Sequence, residues 1–493
     1  MKRAVISLLL FGMLAGCLAS CSNPNGQEED SSGQSGTPSI EFNGEQGDVY
    51  DVPSVKYDGH EFAILSAGNV AYDDFSFSEG SEVVLDNAQY VRKSTVEQNF
   101  DVTITFEKKE NKSSFGEGPG YQEVSRAVSA EDCVYELCLI GTYDATNLAV
   151  TNNLYNLNSL EYVNLKNSWW DQNANEDLSI NNLMFFTTGD LSVGNNNATF
   201  TLVFNKALAQ ETKIEDPYEL VKSGKWTYEK LYGMVKKVSV DVNGDQVMNM
   251  RDKFGMIIWD DSVMAVINSV GSRVCTVGED GSVSLTFNNE RTLGAFNAWI
   301  EMVLDKDTTI CNQRFGSANG TLAEMWEQGR GLFRNCLINT VHSMRLMEAD
   351  FGILPYPKLT EDQPRYYSTL APYNGQFICV PMVLEDAERT GIIVESLAYY
   401  GQNIVRPAFY DKTLYGQNFR DDESGEMLDV ILSNYIYDFG WYYQIGGYNE
   451  RLMDLVRGYS TEFASMYAAG EVQAKTKLDT INDSYELVSD EWK

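Results

Sequence analysis

The chain has 493 residues, 43% of them hydrophobic and 12% aromatic, too long for one small domain and too apolar for a disordered one. Its 37 Lys and Arg against 71 Asp and Glu give a net charge of −34, which repels phosphate backbones and excludes nucleic acid as a partner. With two histidines, His60 and His342, a His-rich metal centre is excluded as well, and the sequence contains no HExxH, GxSxG, P-loop or GxGxxG motif.

Lys2 and Arg3 precede an apolar run from Ala4 to Met13, the charged and apolar regions of a secretory signal and too short to span a bilayer. Leu14-Ala15-Gly16-Cys17 and Leu18-Ala19-Ser20-Cys21 both resemble the bacterial lipobox. Cys21 is the better lipidation site because a polar segment begins directly after it; Cys17 is the alternative. The expectation is a signal peptide over 1–20, then a lipidated Cys and flexible tether over 21–54, rich in Ser, Gly, Asn, Gln and Glu. Lipid and tether together place the rest of the chain at the cell surface, on the outer face of the cytoplasmic membrane. Six cysteines follow, in no zinc-binding spacing, and free buried thiols are expected.

His60 to Leu65 reads as a strand, 84–99 as a helix with Leu85, Ala88, Val91 and Val96 on one side, and Val102 to Phe106 as an alternating strand. Val134 to Ile140 is a near-continuous apolar run, the pattern of a strand buried on both faces. This is the βαβ rhythm of a parallel sheet. The second half continues in the same style. Thr199 to Phe204 reads as a strand, and Thr227 as the N-cap of a helix carrying Leu231, Met234, Val235 and Val238. Further helices are expected over 290–304, after Asp386 and after Ser424, with a strand-like region from Leu332 to Val341.

Several segments, in order along the chain, resemble a known family. They are Trp169-Trp170-Asp171, Thr188-Gly189-Asp190, Leu202-Val203-Phe204-Asn205-Lys206, Glu215-Asp216-Pro217-Tyr218, Gly224-Lys225-Trp226-Thr227 and Asp350 to Pro357. Together they are similar to the carbohydrate-type (family 1) extracellular solute-binding lipoproteins of bacterial ABC importers, of the kind carried by gut Firmicutes. The resemblance implies a two-lobed α/β periplasmic-binding-protein type II fold with hinge strands and a central cleft. It puts lobe 1 at 55–192 plus 375–406 and lobe 2 at 197–370 plus 410–493. It also implies a carbohydrate ligand, permease transmembrane subunits as partners, a monomer and no catalysis.

By the same resemblance, loops after the lobe 1 strands line the cleft. Here these carry Asn69 and Tyr72 after the first strand, and Tyr143 and Asp144 after the 134–140 run. Sugar rings are held by aromatic faces and their hydroxyls by carboxylates and amides. Trp169, Trp170, Asp190, His342, Trp441 and Tyr442 are therefore further candidate ligand contacts. In the 241–252 segment Asp241, Asn243, Asp245, Asn249 and Asp252 stand at positions 1, 3, 5, 9 and 12, and Val247 offers its carbonyl at position 7. That is the EF-hand pattern, except that Gln246 replaces the sharp-turn glycine and Asp252 the terminal Glu. Two readings stand: a structural Ca²⁺ or an Asx-rich turn. For the whole chain the reading is an importer's sugar receptor, with two alternatives: a surface glycan-capture protein without a transporter, or a lipid-anchored glycoside hydrolase with paired carboxylates.

Overall fold

The computed structural model describes residues 50–68, 74–75, 77, 80–110, 116–315, 319–344, 350–410 and 421–489. The signal, lipidation and tether expectations on Cys17, Cys21 and the residues up to 49, together with Asn69 and Tyr72, lie outside them. Among the described residues thirteen strands are formed: β1 (His60–Ala67), β2 (Val102–Lys108), β3 (Leu137–Gly141), β4 (Phe186–Thr187), β5 (Phe200–Asn205), β6 (Ser239–Val240), β7 (Lys253–Ile258), β8 (Cys275–Val277), β9 (Val283–Leu285), β10 (Thr309–Cys311), β11 (Gly331–Leu337), β12 (Phe351–Leu354) and β13 (Gln376–Cys379).

One sheet has the order β2-β1-β3-β13-β4, and a second has the path β10-β7-β11-β5-β12 with β6 paired to β7; β8 and β9 form a separate hairpin. β1, β2 and β3 run parallel, and β13 runs antiparallel to both β3 and β4. The second sheet repeats the scheme, with β7, β10 and β11 parallel and β5 antiparallel to β11 and β12. The chain leaves the first sheet after Thr187, enters the second at Phe200, leaves it after Leu354 and returns at Gln376.

The local chemistry accounts for these elements. Every residue of β3 is buried, as a strand covered on both faces requires, but the strand begins at Leu137, and Val134 is exposed. Thr227 caps the helix Tyr228–Val235 by accepting from Lys230 N–H. Asn289 caps Glu290–Leu304 and Asp386 caps Ala387–Tyr400 in the same way. The helix expected after Ser424 begins at Asp422 instead, because Asp421 accepts from Ser424 N–H and is its cap. The strand-like region around 332–341 stops at Leu337, and Ile338–Met344 is a helix. None of the six cysteines from Cys133 onward forms a disulfide, and five of them are buried. Among the described residues no helix is long and apolar enough to cross a membrane.

The C-terminal elements join the first sheet to the β8–β9 hairpin. The short helix Phe439–Tyr442 packs Tyr442 against Phe377 of β13, while Trp441 touches Phe287 beyond β9. The long helix Phe463–Ser489 packs along β9 and sets Tyr485 edge-on to Phe185.

Candidate functional site

In open α/β sheets the parallel strands deliver their following loops to one end, and ligands bind in the crevice outside those ends. Here β3 ends at Gly141 and delivers Thr142 and Tyr143, and β7 ends at Ile258 and delivers Trp259, Asp260 and Asp261. β10 delivers Asn312 and Gln313. Tyr373 comes from the return crossing just before β13, and the helix Tyr448–Gly458 supplies Asn449 and Glu450.

These groups converge. Tyr143 and Tyr373 meet edge to face with centroids 5.9 Å apart at 81°. Asn449 donates to the Tyr143 hydroxyl at 3.4 Å, and the Tyr373 hydroxyl lies 3.5 Å from Glu450 Oε1. Asp260 is buried, accepts from Gln313 Nε2 and is paired with Arg457. Arg457 also reaches Glu450 at 3.5 Å and Asp454 at 3.0 Å. Asp261 is half-buried at the start of the helix Ser262–Ser269 and makes no side-chain cap bond. Burial, reinforced by the neighbouring Asp260, pushes its carboxyl up to about 7. Its charge in turn contributes to raising the phenols of Tyr143 and Tyr373, which burial pushes up first.

Trp259 completes the site. Its backbone N–H donates to Asn335 Oδ1 on the adjacent β11 at 2.8 Å. Trp169, Trp170, Trp226, Trp299, Trp326 and Trp441 are all buried, so Trp259 is the one tryptophan among the described residues that is only partly buried. Sequence reasoning missed it. The available signal was its place at the end of an apolar strand, directly before two acids. Tyr373, Glu450 and Arg457 were missed too, because their places in the site depend on partners far away in sequence, such as Tyr143 for Tyr373 and Asp260 for Arg457.

Of the residues expected from sequence, Tyr143 falls in this site. Asp144 does not: it is fully buried, accepts from Gly118 N–H at 2.9 Å and Tyr121 N–H at 3.3 Å, and so caps the helix Pro119–Ser129. Trp169 and Trp170 are each 1% exposed, and their indole N–H groups donate to the two oxygens of buried Glu395 at 3.0 and 2.9 Å. Their rings are held in the core by Glu395 and present no open aromatic face, although both residues border the cavity beyond β4. Trp441 is likewise buried, its Nε1 donating to Asn268, and Tyr442 packs on Phe377. The 441–442 segment was expected as a cleft loop and is instead a buried turn of helix. Asp190 lies beyond the edge strand β4, paired with Arg406 at 3.3 Å. His342 falls in the helix Ile338–Met344, and its side chain lies outside the described residues.

The 241–252 segment closes on itself. Asp241 accepts from Gly244 and Gln246 N–H, both at 2.7 Å, and Asp245 accepts from Val247 N–H. Asn249 donates to the Val247 carbonyl and accepts from Arg251 N–H. Asn243 accepts from Asp245 N–H, and the two oxygens of buried Asp252 accept from Val242 and Asn249 N–H. Gln246 takes the left-handed conformation, φ 63°, that the expected glycine would supply. Among the described residues no three acidic, His or Cys side chains converge as metal ligands. The loop is thus a nest of Asx turns, with the side-chain oxygens of Asp241, Asn243, Asp245, Asn249 and Asp252 each accepting backbone N–H groups.

No family model matches the sequence, and no curated protein does either. The fold, in contrast, is shared with solved structures. An ABC substrate-binding protein from Listeria monocytogenes in complex with cycloalternan has a TM-score of 0.52 at 12% identity, covering 87% of this chain and 100% of that one. A family 1 extracellular solute-binding protein from Bifidobacterium longum subsp. infantis has a TM-score of 0.51 at 11% identity, over 87% and 100%. The GacH receptor of Streptomyces glaucescens, described unliganded and with acarbose, has a TM-score of 0.50 at 10% identity, over 88% and 100%. At these identities the likeness carries the fold: this chain has the two-lobed periplasmic-binding-protein type II architecture.

Proposed function

We propose that this chain is the receptor of an ABC importer, a binding protein and not a catalyst. In this reading it captures a sugar or oligosaccharide between its two lobes and hands it to permease subunits. The observation that carries the ligand class is the partly exposed Trp259 set beside carboxylates, with Asp261 and Glu450 facing Tyr143 and Tyr373. An aromatic face takes the apolar face of a pyranose, while carboxylates and amides take its hydroxyls. The proteins of similar fold named above support it, two of them being described with cycloalternan and acarbose. Binding shifts such a hinge only through contacts made in the closed form.

The lobes are proposed to meet the expected borders, 55–192 plus 375–406 and 197–370 plus 410–493. The cell-surface placement through a lipid on Cys21 or Cys17, and the monomeric state, belong to the same proposal. Its test is a thermal-shift screen against mono- and oligosaccharides with peptides as controls, since a ligand of the folded form raises stability by RT ln(1 + [L]/Kd). A selective sugar response without turnover supports the receptor. Turnover of a sugar overturns it in favour of a hydrolase, and a response to peptides alone overturns the ligand class.

A further inference from the structure

A separate cavity of about 300 Å³ lies at the hinge edge of the molecule. One wall is the segment 188–196 that leaves β4, the edge strand of the first sheet. The opposite wall is Ser433, Tyr435 and Tyr437, at and beyond the end of the helix Asp422–Ser433, with Leu370 and Arg406 from the connecting segments between them. None of Tyr143, Trp259, Asp261, Tyr373 or Glu450 contributes to it.

Its charged lining residues are Asp171, Asp190 and Arg406. Arg406 pairs with Asp190 at 3.3 Å, and its guanidinium lies 5.7 Å from the centre of the Tyr410 ring. Asp171 accepts from the Tyr437 hydroxyl at 2.8 Å and from Ala174 N–H at 3.0 Å, so its partners are neutral donors. Among the described lining residues two carboxylates therefore share one guanidinium, which leaves one negative charge in excess. Burial pushes both acids up, Asp190 to about 6, while Arg406 acts on both in the opposite direction. Tyr435 and Tyr437, with centroids 5.7 Å apart, add aromatic rings, whose negative faces attract cations.

We propose that this hinge-edge cavity is a second binding site, selective for a small organic cation carrying a primary amine. The ammonium takes the place of the missing second counter-charge between Asp171 and Asp190, and the tyrosine rings cover its alkyl part. Because the walls come from both sides of the hinge, an occupant holds one hinge geometry. Its binding is thereby linked to that of the interlobe ligand, reciprocally in free energy.

The test is calorimetric titration of the full chain with putrescine and, as a neutral control of the same length, 1,4-butanediol. Saturable putrescine binding with no response to the diol is expected. Asp190→Asn is expected to weaken it by about tenfold or more, on the order of one lost charge interaction. Ser433→Trp, which fills the cavity from an exposed rim position, abolishes it. Trp259→Ala leaves putrescine binding intact while impairing sugar binding, so the two sites are scored separately. The proposal is overturned by no saturable putrescine binding, by equal binding of the diol, or by undiminished putrescine binding in Ser433→Trp.

Discussion

Trp259 is held by Asn335: the tryptophan's backbone N–H at the end of β7 donates to the asparagine side chain on β11 at 2.8 Å. The bond fixes the strand end that carries this partly exposed tryptophan. Removing the ring with Trp259→Ala should weaken sugar binding by more than about tenfold, roughly 1.4 kcal/mol or more, with the melting temperature little changed. Asn335→Ala should weaken it less, by loosening the ring's support. Titration of both variants checks this, and full affinity in Trp259→Ala removes that residue from the site.

Glu395 accepts both indole N–H groups of Trp169 and Trp170, together with Asn167 Nδ2 and Asn164 N–H. Glu395→Ala leaves these buried donors unmatched, and a loss of about 2–5 kcal/mol of stability is expected. Because the cluster is core and not cleft, sugar affinity measured on the folded fraction should be retained. Urea denaturation followed by titration tests both halves of the statement.

Asp261 has a folded pKa of about 7, against about 3.9 for an unperturbed Asp. The folded state therefore holds its proton more tightly than the unfolded state. Its contribution to stability is fully present below about pH 4 and is lost as pH rises through about 7. Asp261→Asn removes that dependence and should be the more stable protein at pH 8. Denaturation midpoints of parent and variant at pH 4 and pH 8 decide it; a parent as stable as the variant at pH 8 refutes the assignment.

In the 241–252 loop, Asp252 holds the N–H groups of Val242 and Asn249 from a fully buried position. Asp252→Ala should cost about 1–3 kcal/mol whether or not EDTA is present, because the loss is of hydrogen bonds to the backbone. EDTA alone should leave the parent's melting temperature unchanged. A fall in the parent with EDTA, reversed by calcium, would restore the metal reading.

Local pattern was sufficient for β1, β2 and β5 and for the helices capped by Thr227 and Asp386, because period and cap chemistry are written over a few neighbouring residues. The resemblance of ordered segments carried the two-lobed fold. Site residues were harder to read. Trp169, Trp170 and Trp441 looked like sugar platforms because a tryptophan's face is not visible in sequence; the acceptor on Glu395 and the partner Asn268 that bury them lie more than 170 residues away. Asp144 looked like a loop residue at a strand end, and its role emerged only when Gly118 and Tyr121 came within hydrogen-bonding reach.

The position of β13 between β3 and β4 has a consequence for how the molecule is made. A strand at 376–379 must be inserted before 186–187 has anything to pair with, so the first sheet cannot be completed while the chain is emerging in order. Such distant pairings carry a large loop-closure cost and form slowly. Nascent segments up to about residue 370 remain an incomplete sheet with a missing central member. The order of strands therefore also sets a sequence of assembly: the second sheet, whose strands all lie between Phe200 and Leu354, can be completed before the first, which waits until more than three-quarters of the chain has been synthesised.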